Sequence, residues 1–157
     1  MREKAENNHS ATHLLFSTLR KKYGPSIKQL GSDNNFNRLR LDFPLDHRPS
    51  ESEIEDIEAT MKELINSEIE RKYINTTFDA AEEMGAIALE NEDYGYTVRV
   101  VKFGDMIELC GGTHAANTKQ IQDFVITKVE SIGSGVYRIK ALTGIAARKY
   151  KDEELSL

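Results

Sequence analysis

The sequence predicts an α+β fold: one mixed or antiparallel sheet, a long amphipathic helix packed on it, and a further helix at the N-terminus. Three observations carry this. Ile54, Ile57, Met61, Leu64, Ile65 and Ile69 recur at helical spacing through 51–72, above an acidic outer face. Residues 38–43 (RLRLDF) alternate, with Leu39, Leu41 and Phe43 on one side and Arg38, Arg40 and Asp42 on the other, the pattern of a half-buried strand. Short apolar stretches separated by glycine turns fill 97–142.

In chain order, Asn8 is the expected N-cap of a helix of about fifteen residues, ended by Gly24-Pro25. The strand 38–43 follows. Ser50 with Glu53 forms the signature of a capping box, and opens the helix predicted over 51–72. Residues 73–78 read as a short strand and 79–85 as a short helix closed by Gly85. Strands are predicted at 97–103, 106–109, 123–131 and 136–142, paired as hairpins by Gly104-Asp105 and Gly133-Ser134-Gly135. From about residue 145 the chain is helical and polar, with no evident packing partner.

Length and composition bound the class. The chain has 157 residues, 30% charged and 39% apolar, which describes one globular domain with at most a small appendage. No apolar run approaches the roughly 20 residues of a membrane helix, and no signal peptide opens the chain. One cysteine excludes an internal disulfide and fits a reducing, cytoplasmic setting. The net charge of −5 argues against nucleic acid until it is mapped: residues 1–40 carry +5, 41–93 carry −12 and 94–157 carry +2. Arg20, Lys21, Lys22, Lys28, Arg38 and Arg40 could face phosphates; equally, they could be ordinary solvated charges.

The chemistry is concentrated in HSATH and CGGTH. His9 and His13 are four residues apart, so on a helix both imidazoles leave one face. Cys110 and His114 have the same spacing, and Gly111 and Gly112 let the chain turn sharply between them. Three imidazoles and a thiolate suit a tetrahedral zinc site. Neither half is persuasive alone; the pairing is. His47, in a turn-like stretch at 46–49, reads as a solvated loop residue.

The motifs NHSATHLL, Q-x-G-S (Gln29 to Ser32), RLRLDF, MGAIAL, YGYTVRVV, ELCGGTH and ALTG follow one another in this order and spacing. Together they resemble the editing domain of alanyl-tRNA synthetases, shared with free-standing alanyl-tRNA editing proteins, over about residues 7–144. Threonyl-tRNA synthetases have a related domain with a different cysteine motif, and CGGTH favours the alanyl branch. The resemblance implies zinc-dependent hydrolysis of the ester that joins serine or glycine wrongly to the acceptor end of tRNA(Ala). The step is needed because a pocket for alanine cannot exclude glycine by size and rejects serine only weakly. The residues 1–144 would form this domain and 145–157 a truncated helical tail. The expectation is a piece of a whole synthetase, whose aminoacylation and C-terminal domains would be its partners, with a small free-standing editor as the second reading.

Carried over by position, the resemblance makes His9, His13, Cys110 and His114 the zinc ligands, and places Thr12, Gln29 and Ser32 in the editing pocket. The Thr12 hydroxyl could meet a serine side chain or bond its own helix backbone. Gly111, Gly112 and Thr113 are candidate backbone donors to the oxyanion. Contacts to tRNA are expected from Arg20, Lys21, Lys22, Lys28 and Arg138. Two metal arrangements are open: a closed site that orders the pocket, or an open one in which zinc acts on water or substrate. Three departures from the family pattern stand out: Asp93 beside Tyr94 where a lysine is usual, Tyr137-Arg138 in place of two arginines, and Ala115 after CGGTH where valine is usual. The alternatives from other classes are a structural zinc module and a tRNA-binding module without hydrolysis.

Overall fold

The computed structural model describes residues 2–87 and 95–155; the Asp93-Tyr94 pair and the end of MGAIAL lie outside them. The order is α1 (Arg2–Tyr23), β1 (Gly31–Asn34), β2 (Leu39–Pro44), α2 (Glu51–Asn66), β3 (Arg71–Thr77), α3 (Phe78–Glu83), β4 (Thr97–Phe103), β5 (Met106–Leu109), a 3-10 turn (Thr118–Ile121), β6 (Phe124–Gly133), β7 (Val136–Thr143) and α4 (Gly144–Leu155). None of the described helices is long and apolar enough to cross a membrane.

The α+β class holds, but the strands form two antiparallel sheets and not one: β1-β2-β7-β6 and β3-β4-β5. Period-2 alternation identifies a strand and its buried face; it does not identify its neighbours. The small sheet closes locally through the turn at Gly104, whereas β2 pairs with β7 about a hundred residues later. Helix α1 touches β1, β2 and β7 of one sheet and β5 of the other. Ala11, Leu14, Leu15 and Leu19 on it are at most 1% exposed, so α1 is the central element. Helix α2, expected on a sheet, instead packs mainly on α1 and the 3-10 turn, with a further contact to β6, burying Ile57, Met61 and Ile65.

Helix α1 begins at Arg2, so Asn8 is not its cap. Asn8 is buried; its Nδ2 donates to Asn35 O and its Oδ1 accepts from Thr143 Oγ1, both at 2.5 Å. A polar side chain that ties α1 to two strands looks, in sequence, like a helix start. The predicted capping box of Ser50 and Glu53 is present. The helix it opens ends at Asn66, not 72, because Ser67 N–H returns to Glu63 O and Glu68 takes φ +52°. Ile69 belongs instead to a connection that exchanges two hydrogen bonds with Thr118, each 2.9 Å. The polar tail does have a partner: α4 packs on β6 and β7, Ala147 is fully buried, and Lys151 reaches Asp123 at 2.7 Å.

Candidate metal centre

His9 and His13 project from α1 towards the end of β5, where Cys110 and His114 follow. The ligand-type atoms of these four residues all lie within 4.8 Å of one another. His9 Nε2 is 3.1 Å from His13 Nε2 and 3.4 Å from Cys110 Sγ. Two donors on one tetrahedral zinc are separated by about 3.4–3.6 Å, from Zn–N and Zn–S bond lengths. The spacing therefore suits a single ion.

The tautomers agree with this. His9 Nδ1–H donates to Thr113 O at 2.8 Å, His114 Nδ1 is hydrogen-bonded with Ser10 Oγ at 3.1 Å, and His13 Nδ1 lies against the Glu108 carboxylate. Each Nδ1 meets a protein oxygen, which leaves three Nε2 lone pairs facing inward. His114 Nε2 is buried without a partner. Burial lowers all three imidazoles, His13 to about 3 and His114 to about 2, with the neighbouring histidines and arginines adding to the effect. Neutral imidazoles at pH 7 are ready to ligate. The donor set fits zinc.

Glu108, 2% exposed, is the residue sequence reasoning missed. It sits on the inward face of β5, in step with Met106, where an apolar residue is the norm. That misplaced charge two residues before the cysteine was its only signal. Ser10 was missed as well; besides holding His114 it accepts Ala115 N–H at 2.9 Å.

The loop itself is held from behind. Arg99 on β4 donates to Cys110 O at 3.1 Å and to Gly112 O, and Arg71 on β3 donates to His114 O at 2.7 Å. Their guanidiniums lie 4.0 and 4.3 Å from the Tyr73 ring centroid, and the Tyr73 hydroxyl accepts His114 N–H. The glycines play separate roles. A Cβ on Gly112 would sit 2.5 Å from His9 Cε1, whereas one on Gly111 would meet nothing within 4 Å. Gly112 is thus required by a close approach to the ring.

A pocket of about 300 Å³ opens over the centre, lined by His9, Thr12, His13, Gln29, Ser32, Asn34, Leu109, Cys110, Gly111 and Gly112. Thr12, Gln29 and Ser32 are therefore brought together with three of the four candidate ligands, His9, His13 and Cys110. Thr12 Oγ1 donates to Asn8 O at 2.8 Å, the helix-backbone bond considered above, and keeps lone pairs that can accept. Gln29 Nε2 donates to Ser32 Oγ at 2.6 Å. Gly111 and Gly112 line the pocket; Thr113 does not, and gives its carbonyl to His9.

The expected tRNA-facing cations are not gathered there. Arg20 donates to Pro25 O and Ile27 O, closing the end of α1. Lys21 and Lys22 face Asp105 and Asp56 at 3.7 and 3.1 Å. Lys28 is exposed. Arg138 makes a two-pronged ion pair with Asp42 at 2.9 and 3.1 Å. His47 is not part of the four-residue group; it lies between Asp46 and Glu53.

Comparison with known proteins agrees with the motifs. Residues 98–140 match the family described as the threonyl and alanyl tRNA synthetase second additional domain. The chain is 49% identical over 155 residues to an alanine--tRNA ligase of Mycoplasmopsis agalactiae, covering 96% of this chain and 17% of that protein. It is 48% identical over 146 residues to that of Mycoplasmopsis pulmonis, covering 90% and 17%. It is 42% identical over 153 residues to that of Mycoplasma mycoides subsp. mycoides, covering 96% and 17%. The chain thus spans about a sixth of the length of these relatives, as the 17% coverage gives. The two ligand motifs gathered in one group, the match of residues 98–140 and the similarity along nearly the whole chain bear out its resemblance to the second additional domain of alanyl-tRNA synthetases.

Proposed function

We propose that this domain hydrolyses the ester linking serine or glycine to the acceptor end of tRNA(Ala), as a proofreading step with zinc as cofactor. The observation that carries the reading is the convergence of His9, His13, Cys110 and His114, the first three of them lining a pocket that also presents Thr12, Gln29 and Ser32. A zinc ion held by the four side chains would supply Lewis acidity and order at that pocket. The complete four-donor set favours the closed arrangement of the two considered above.

The chain's own groups do the rest. Thr12 Oγ1, already donating to Asn8 O, is left to accept a hydrogen bond from a serine hydroxyl. Alanine cannot supply that bond, and an unpaired buried acceptor costs about 1–3 kcal/mol. Arg99 draws Cys110 O and Gly112 O to itself. Because C=O and N–H point oppositely across a planar trans peptide, the Gly111 and Thr113 amides are turned away from Arg99. Gly111, which lines the pocket, is then the best-placed donor to a developing oxyanion. Among the described residues, the titratable side chains in the pocket lining are three of the candidate ligands, His9, His13 and Cys110. A hydroxyl of the terminal ribose is therefore assigned as proton acceptor.

The partners on this reading are the aminoacylated tRNA and the remainder of a cytoplasmic alanine--tRNA ligase. The test is deacylation of seryl-, glycyl- and alanyl-tRNA(Ala) by the chain, with Cys110→Ala alongside. Cleavage of the seryl or glycyl ester, sparing of the alanyl ester and an inactive but folded variant support the reading. Equal treatment of all three esters refutes it.

A further inference from the structure

We propose that a second cleft, on the other side of the β1–β2 turn from the metal pocket, holds an unpaired nucleobase of the RNA strand whose 3′ end enters that pocket; this rests on the function proposed above. The cleft has a volume of about 550 Å³, larger than the metal pocket. The turn divides the two: Asn34 lines the metal pocket, Phe36 and Asn37 line the cleft. Asn8, next to His9, fixes the turn through its bond to Asn35 O.

The lining is chemically selective. Asn7, Asn37, Gln120 and Gln122 contribute neutral amides, the groups that pair with base edges through a donor and an acceptor together, although Gln120 Oε1 already accepts Asn117 N–H at 3.0 Å. Phe36, 44% exposed, and Ile145, 70% exposed, add an aromatic face and an apolar contact, as stacking requires. The charged lining residues are one Glu3 and one Lys4, which offset each other, so the cleft is built for a neutral edge and not for phosphate.

Two further observations fit a ligand. Asn7 donates Nδ2 to Gln120 O at 3.1 Å, yet its Oδ1 is buried without a partner, an acceptor left over in the cleft wall. Gln122 has φ +68° and ψ −58°, with Asp123 N–H bonded to Ile121 O at 2.8 Å, a strained γ-turn rare outside glycine. Strain of this kind persists where surrounding structure over-determines it, and clusters at ligand clamps.

The experiment is a titration of the ¹⁵N-labelled chain with the trinucleotide CCA, the 3′ end of every tRNA, read on the side-chain amide resonances of Asn37, Gln120 and Gln122. Those resonances should move and saturate, and Phe36→Ala should weaken the apparent affinity about tenfold. A CCA analogue lacking one base should lose the shifts at the cleft. Shifts that survive Phe36→Ala, or that the abasic analogue reproduces, overturn the proposal. So does their absence, which would assign the cleft to another segment of a longer protein. Selective deacylation without cleft shifts would defeat this inference alone; cleft shifts without deacylation would defeat the proposed function alone.

Discussion

Replacing Glu108 by glutamine separates the metal centre from the fold. Glu108 is 2% exposed and lies against His13 Nδ1, with its second oxygen buried and unpartnered. His13 is neutral, its pKa lowered to about 3 chiefly by burial, so the carboxylate faces an imidazole N–H and not a cation. In the metal-free protein a carboxylate held there would be a buried charge without a countercharge, which is costly. With zinc bound, the same carboxylate would orient the ring and strengthen His13 as a donor. Glutamine keeps the shape and an acceptor oxygen but removes the charge. Such orienting groups are worth about 10–100-fold in metal affinity, or about 1.4–2.7 kcal/mol. Glu108→Gln should lose that much zinc affinity, measured by chelator competition, with a weakened Co²⁺ d–d spectrum. The melting temperature of the chelated protein should stay level or rise. Unchanged affinity, or a chelated protein that unfolds more easily, would refute the assignment of Glu108 to the metal.

Other consequences follow from the same geometry. Gly112→Ala puts a methyl 2.5 Å from His9 Cε1 and should weaken zinc binding at least about tenfold, whereas Gly111→Ala, which meets nothing within 4 Å, should bind zinc normally; equal effects of the two would contradict the close-approach argument. Because burial holds the three histidines neutral at pH 7, zinc binding should release at most about one proton, in calorimetry across buffers of different ionisation enthalpy; release of two or more would show charged imidazoles in the metal-free state. Away from the site, Glu53 is held at about 2, below its ordinary 4.5, first by the Tyr23 hydroxyl and then by His47, while His47 is raised above 6.5 by Glu53 and Asp46. Glu53's contribution is present above pH 4.5 and lost as pH falls towards 2; His47's is present below 6.5 and lost as pH rises through its raised value. The melting difference between the wild type and Glu53→Gln should peak at about pH 5–6 and vanish near pH 2.

Local chemistry was legible in the sequence, and long-range pairing was not. The alternation of Leu39, Leu41 and Phe43, the Ser50–Glu53 box and the glycine turns each encode a structure within a few residues, and each appears as read. The spacing in HSATH and CGGTH likewise marked four side chains that the fold brings to one point. What failed depended on partners distant in sequence. Asn8 has the right chemistry for a cap, and only its bonds to Asn35 and Thr143 explain it. The division into two sheets turns on α1 lying between elements that periodicity cannot relate. Arg99, Arg71 and Tyr73 hold the ligand loop from strands whose sequence reads as ordinary β structure.

The proposed function makes ester hydrolysis depend on a metal held by the four converging side chains. Its most direct test is a single-turnover time course of seryl-tRNA(Ala) hydrolysis by the chain as zinc-loaded, chelated and zinc-restored protein, with circular dichroism confirming that the chelated form is folded. Cleavage, its loss on chelation and its return with zinc are the expected results. Hydrolysis that continues undiminished in folded, metal-free protein would contradict the proposed function.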